Sequence, residues 1–422
     1  MSSFRLESCA RPNILSLQPY RCARDDYKDD GSNILLDANE NAYGPSVEAS
    51  SSAALDGLGF DPSGLHRYPD PHQVELKQQL CRLRNTNAHT DKPLTADHVF
   101  VGVGSDEAID ALMRCFCVPG RDRMLTCPPT YGMYAVSAQV NDVDTVRVPL
   151  GPAPDFAIDG PAIAAALDKS SNNIKLVYLC SPGNPTGSLL AKADVERLLA
   201  HPTWNGIVVV DEAYIDFAPD SASLAQLVAA HPNLVVMQTL SKAFGMAGIR
   251  FGAAFASPPV ARLLNALKAP YNVSTPTAAL AAAALSERGL AAMHRNRERI
   301  LAQRDRLLRE LPLIPGVGRL RGGTDANFLL FEMLDSKGRP DNAVALAVYQ
   351  GLAESERVVV RFRGKEHGCL GCLRITVGTE QEVTTMLQSL RTRLAEVRSA
   401  ATPLAEGEKE IAKELAANGV VA

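Results

Sequence analysis

Ile207-Val-Val-Val-Asp211 sets four consecutive β-branched apolar residues before a carboxylate. A strand apolar on both sides offers no face to water, so runs of this kind belong to parallel sheets covered by helices. Val99 to Gly104, Leu176 to Cys180 and Leu234 to Met237 repeat the pattern, so four strands are expected to end near residues 103, 180, 210 and 237. Helical crossovers fit between them, for example Lys192 to Leu199. Helices are also expected from Gln73 to Arg84 and from Ser105 to about Cys117, where Ile109, Leu112, Met113 and Phe116 recur at helical spacing. Each strand hands the chain to polar residues, and ligands of open α/β sheets bind outside the carboxyl ends of strands. That architecture gathers Ser105, Asn184, Asp211, Tyr214 and Lys242 around one crevice.

Lys242 is the most demanding of these. An ammonium at the end of a core strand costs several kcal/mol unless it is paired or loses its proton. A lysine made to lose its proton is a nucleophile, suited to an imine with a carbonyl cofactor. Thr239, Ser241 and Arg250 stand around it, groups that hold a phosphate. Ser105-Asp106-Glu107 opens a helix after a glycine pair, and the free backbone N–H groups there make an anion site. A phosphate beside a reactive lysine suggests pyridoxal 5′-phosphate. The plain alternative for the lysine segment alone is a surface loop. With that cofactor, Asp211 keeps the pyridine nitrogen protonated, Tyr214 and Asn184 donate to the ring's phenolic oxygen, and Tyr131 stacks on the ring.

Two domains are the natural expectation for 422 residues. A net charge of -4 gives no reason to expect nucleic acid or an anionic membrane as partner, and no apolar stretch is as long as a membrane span. Nine scattered cysteines and no apolar leader fit a reduced, cytoplasmic setting. Cys369-Leu-Gly-Cys372 is a lone C-x-x-C, so no metal site is expected. The chain divides into an N-terminal arm and lid segment (1–50), a large cofactor-binding domain (51–290), a smaller α+β domain (291–398) and a charged tail (399–422). The smaller domain reads as a helix from His294 to Glu310 with strands at Asn327–Phe331, Arg357–Arg361 and Leu373–Val377. Arg374, between Leu373 and Ile375, points to the opposite face from them, where it suits a substrate carboxylate or phosphate. Arg363 reads as ordinary surface charge.

Ser181-Pro-Gly-Asn-Pro-Thr-Gly187, Asp211-Glu-Ala-Tyr214 and Ser241-Lys242 with Arg250 together resemble the fold-type-I pyridoxal-phosphate aminotransferases. Arg11-Pro12-Asn13-Ile14 with Pro19-Tyr20, Asp37-Ala-Asn-Glu-Asn41 with Tyr43-Gly-Pro45, Arg67-Tyr68-Pro69, Thr239 to Phe244 and Gly371 to Gly378 narrow the resemblance to the histidinol-phosphate aminotransferases, over about residues 10 to 395. The resemblance implies an α/β fold, with a mostly parallel, helix-covered sheet in the large domain. It implies a homodimer with shared active sites, in which Tyr68 reaches the cofactor phosphate of the neighbouring subunit. It assigns Tyr43, Arg361 and Arg374, beside Asn184, to the substrate. The implied reaction is reversible amino transfer between glutamate with imidazole-acetol phosphate and 2-oxoglutarate with histidinol phosphate, in histidine biosynthesis. Ala42, where many members have proline, is a departure that leaves the chemistry intact.

Overall fold

The computed structural model describes residues 4–18, 62–169 and 173–399. Tyr43, the Asp37–Pro45 segment, most of the N-terminal arm and the charged tail lie outside the described residues. One sheet has seven strands: β1 (Val99–Val103), β2 (Arg123–Thr126), β3 (Asp144–Arg147), β4 (Ile174–Cys180), β5 (Ile207–Asp211), β6 (Leu234–Thr239) and β7 (Phe251–Ala256). Their order is β1-β7-β6-β5-β4-β2-β3. Only β7 runs against the rest, pairing antiparallel with both β1 and β6.

The four expected strands are β1, β4, β5 and β6. Their side chains alternate between two cores, one on each face. Val177, Leu179, Val208, Val210, Leu234 and Val236 enter one. Leu176, Tyr178, Ile207, Val209, Val235 and Met237 enter the other. Each fully buried branched side chain contributes about 1.5–3 kcal/mol, so the two cores fix the register. Asp211 and Thr239 therefore fall on the face of Tyr178, whereas Glu212 bonds the Gln238 amide on the other face at 2.7 Å.

The expected helices form at Val74–Arg84, Gly104–Phe116 and Lys192–Leu199. The helix expected from His294 to Glu310 starts earlier, spanning Glu287–Glu310, because Ser286 caps it by accepting from Gly289 N–H.

A second sheet orders β10 (Arg361–Phe362), β11 (Cys372–Thr376), β9 (Phe328–Met333) and β8 (Val317–Leu320), all antiparallel. It packs on the helices Glu287–Glu310, Asn342–Ser355 and Glu380–Ser399 through Leu307, Val348, Leu352, Leu387 and Leu390. The strand expected over Arg357–Arg361 is corrected: only Arg361–Phe362 pairs, because Arg357 has a left-handed backbone (φ 57°) that breaks extended geometry. Among the described residues no helix is long and apolar enough to cross a membrane, and no His, Cys, Asp and Glu cluster could hold a metal.

Candidate active site

The polar ends of β1, β4, β5 and β6 converge. Asp211, 2% exposed, ends β5. Its Oδ2 accepts from the Tyr134 hydroxyl at 2.7 Å and its Oδ1 from Ala213 N–H at 3.1 Å. Burial pushes its carboxyl up to about 6, while these two bonds favour ionisation. A buried carboxylate so held gains most from a cationic partner in the cleft. Tyr134 stacks on Tyr178 at 4.9 Å and meets the edge of Tyr131 at 5.6 Å. Sequence reasoning missed Tyr134. Its signal was the spacing of three from Tyr131, which sets both on one side of a helical turn.

Lys242 remains reachable from the cleft. Desolvation by the walls, and then the like charge of Arg374, hold its ammonium below the usual lysine value. Its Nζ lies 5.5 Å from the centre of the Tyr214 ring. Tyr214 is buried, which raises its phenol above the ordinary value, so it stays protonated and is available as a donor. Its ring meets Phe328 edge-on at 5.1 Å.

An anion cradle forms where β1 passes into the helix Gly104–Phe116. Gly104 has φ +71°, and a Cβ there would lie 2.7 Å from Arg250 Nη2. Gly252 of β7 is equally constrained, since its Cβ would lie 2.3 Å from Ser105 N. Both glycines keep the helix N-terminus and the guanidinium close together. Arg250 pairs with Asp106 at 3.3 Å, and Asp106 also accepts from the Tyr131 hydroxyl at 3.4 Å. The Thr239 hydroxyl lies 2.9 Å from Ser241 Oγ and 3.0 Å from Phe251 O. The Glu107 carboxylate turns away from the cradle, accepting from Val103 N–H at 2.5 Å and from the Asn272 amide at 3.1 Å. Only the Glu107 backbone is left to serve an anion.

Asn184 is held from two sides. A loop from the smaller sheet laces onto its turn: Gly323 N–H donates to Thr186 O at 3.0 Å and Asp325 N–H to Gly187 O at 2.9 Å. A Cβ at Gly322 would lie 1.8 Å from Thr186 O, so this approach demands glycine. Asn184 Oδ1 accepts from Arg374 Nη1 at 2.5 Å and from Arg363 Nη2 at 3.4 Å, which leaves its amide N–H groups as donors. Arg374 lies over Phe328 at 5.1 Å, opposite Arg361 in the β10–β11 ladder. The reading of Arg363 as surface charge is corrected: the continued pairing of Arg363 N–H with Cys372 O at 2.9 Å turns its side chain toward Asn184. Tyr68 is 51% exposed and stacks on Tyr271 at 4.5 Å.

This donor set fits pyridoxal 5′-phosphate. A glycine-lined cradle with a guanidinium, two hydroxyls and free N–H groups suits the phosphate. A buried carboxylate suits a ring N–H, and a lysine of lowered basicity suits the aldehyde.

The family pattern for aminotransferase class I and II matches residues 32–390. The histidinol-phosphate aminotransferase of Schizosaccharomyces pombe is 52% identical over 395 residues, covering 93% of this chain and 98% of that protein. That of Candida maltosa is 49% identical over 398 residues, 93% of this chain and 99% of that protein. A crystal structure of histidinol-phosphate aminotransferase from Sinorhizobium meliloti in complex with pyridoxal-5′-phosphate matches with TM-score 0.68 at 24% identity, covering 92% of this chain and 97% of that one.

Proposed function

The chain belongs to the aminotransferase class I and II family, and we propose that it catalyses reversible amino transfer between glutamate with imidazole-acetol phosphate and 2-oxoglutarate with histidinol phosphate, a step of histidine biosynthesis. The observation that carries the reading is the Arg374 guanidinium seated on Asn184 next to Lys242, an anion site at the reacting amine. The substrate name comes from relatives that match nearly end to end.

Bound pyridoxal 5′-phosphate supplies a carbonyl that accepts a primary amine and a ring that takes up the electron pair released at the substrate Cα. Thr239, Ser241, Arg250 and the backbone N–H groups from Ser105 to Glu107 would hold its phosphate. Asp211, kept ionised by Tyr134 and Ala213 N–H, would hold the proton on the ring nitrogen. Tyr214 and the Asn184 amide would donate to the phenolic oxygen, and Tyr131 would cover one ring face. Lys242, its basicity already lowered, would take the proton from the substrate Cα as general base and deliver it as general acid to the cofactor's former aldehyde carbon. Arg361 and Arg374 would bind the substrate anion. A guanidinium fork matches phosphate and carboxylate alike, so one site can serve both half-reactions.

The enzyme would work as a homodimer in the cytoplasm, with Tyr43 helping to bind the substrate's anion and Tyr68 reaching the cofactor phosphate of the neighbouring subunit. The large domain (51–290) would carry the cofactor and the small one (291–398) the arginines. The test is a steady-state assay of the purified protein with histidinol phosphate and 2-oxoglutarate, following glutamate formation. Turnover at low histidinol phosphate, and with phenylalanine only at high concentration, supports the reading. The reverse order of preference would move the substrate to aromatic amino acids.

A further inference from the structure

Arg363 and Glu366 stand at the arginine pair without a role in the mechanism above. Arg363 Nη1 pairs with Glu366 Oε1 at 2.6 Å, with side chains only 20% and 26% exposed. The same guanidinium reaches Asn184 Oδ1 at 3.4 Å, the atom that Arg374 contacts. Three buried atoms of this group have no hydrogen-bond partner among the described residues: Arg363 Nε, Arg374 Nε and Glu366 Oε2. Burial penalises the Glu366 carboxylate, and its charge is supported first by Arg363, with Arg374 and Arg361 also near enough to act. Burial lowers Arg374 first, and the like charge of Arg363 lowers it further, a sign of their proximity. Guanidinium groups crowded this closely, with donors unused, are prepared for more negative charge than Glu366 brings.

The geometry points to Arg363 as a specificity-determining residue: a third guanidinium of the substrate anion site that favours a phosphate over a carboxylate, with Glu366 as the counter-ion that sets the margin. The inference deepens the function proposed above and rests on it. Arg361, Arg363 and Arg374 against Glu366 leave two positive charges. A phosphate dianion neutralises both, whereas one carboxylate leaves a positive charge uncompensated. Coulomb attraction scales with the product of ligand and site charge, so each site charge counts twice for phosphate and once for carboxylate. Removing Arg363 must therefore weaken phosphate binding more than carboxylate binding. Removing the charge of Glu366 must shift the preference the other way. A purely structural role for the pair predicts the same direction for both variants.

The test is the KM for histidinol phosphate and for glutamate in the holoenzyme, Arg363→Gln and Glu366→Gln. Loss of one charge-assisted contact predicts that Arg363→Gln raises the KM for histidinol phosphate roughly tenfold and that for glutamate roughly threefold. Glu366→Gln should move the ratio of the two constants the opposite way. Calorimetric titration of the holoenzyme with inorganic phosphate should show weaker binding in Arg363→Gln and tighter binding in Glu366→Gln. In the unmodified enzyme, rising salt should raise the KM for histidinol phosphate more steeply than that for glutamate, a readout independent of how the variants fold. Equal changes for both substrates, or the same direction in both variants, overturn the assignment. An unmodified enzyme that turns over glutamate but not histidinol phosphate overturns the proposed function itself, and this inference with it.

Discussion

Replacing Tyr134 with phenylalanine removes one hydroxyl and keeps the ring stacked on Tyr178. The lost bond is the 2.7 Å donation to Asp211 Oδ2. A hydrogen bond to a buried ionised group is worth about 1.5–3 kcal/mol. At 1.36 kcal/mol per pKa unit this moves the Asp211 carboxyl up by about one to two pH units. From about 6, it would titrate near roughly 7–8 in the cofactor-free variant. The raised value has a definite sign for stability. Below the ordinary aspartate value of 3.8 both folded and unfolded chains are protonated and nothing is lost. As pH rises the unfolded chain ionises first, so stability falls until the folded group ionises near 6, and in the variant it goes on falling to near 7–8. The assay is titration of cofactor-free protein with pyridoxal phosphate from pH 5 to 9. Only the ionised carboxylate can pair with a ring N–H, so the variant should bind about two- to tenfold more weakly at pH 7 and nearly normally at pH 9. Superimposable pH profiles would refute the claim that this hydroxyl keeps Asp211 ionised.

Lys242→Ala should abolish transamination with circular dichroism unchanged, and retained turnover would sink the assigned mechanism. Gly104→Ala places a Cβ 2.7 Å from Arg250 Nη2 at φ +71°. A left-handed non-glycine residue costs about 1–2 kcal/mol, so a lower melting temperature and weaker cofactor retention on dialysis are expected; unchanged values would mean that the cradle is looser than described. Arg374→Ala should raise the KM for both histidinol phosphate and glutamate, since each loses its guanidinium and Asn184 Oδ1 loses its 2.5 Å donor; an effect on one substrate alone would assign the two anions to separate sites.

The strands at the heart of the site were legible because β4, β5 and β6 are long apolar runs bounded by turn residues. β7 was not, because Phe-Gly-Ala-Ala-Phe-Ala has little strand preference. Its small residues make sense only once Gly252 is seen against Ser105 N. β3 is a four-residue edge strand with exposed ends and carries no hydrophobic signal. The gathering of Lys242, Asp211, Asn184 and Arg250 at one edge of the sheet was legible because each stands just beyond or at the polar end of an apolar run. Tyr134 and Arg363 were not. One looks like a helix-core aromatic, and the other lies in a charged loop beside Gly364 and Lys365, where only the pairing with β11 turns it inward.

If one site serves two different donors in turn, each must act on the same cofactor. Purified protein loaded with pyridoxal phosphate can be followed by its cofactor absorbance as histidinol phosphate or glutamate is added without an oxo-acid acceptor. Each donor alone should convert the cofactor to its amine form, and 2-oxoglutarate should restore the starting spectrum. Non-reacting analogues of the two donors should exclude each other competitively. Conversion by glutamate with histidinol phosphate inert, or non-competitive behaviour of the two, would contradict a shared site.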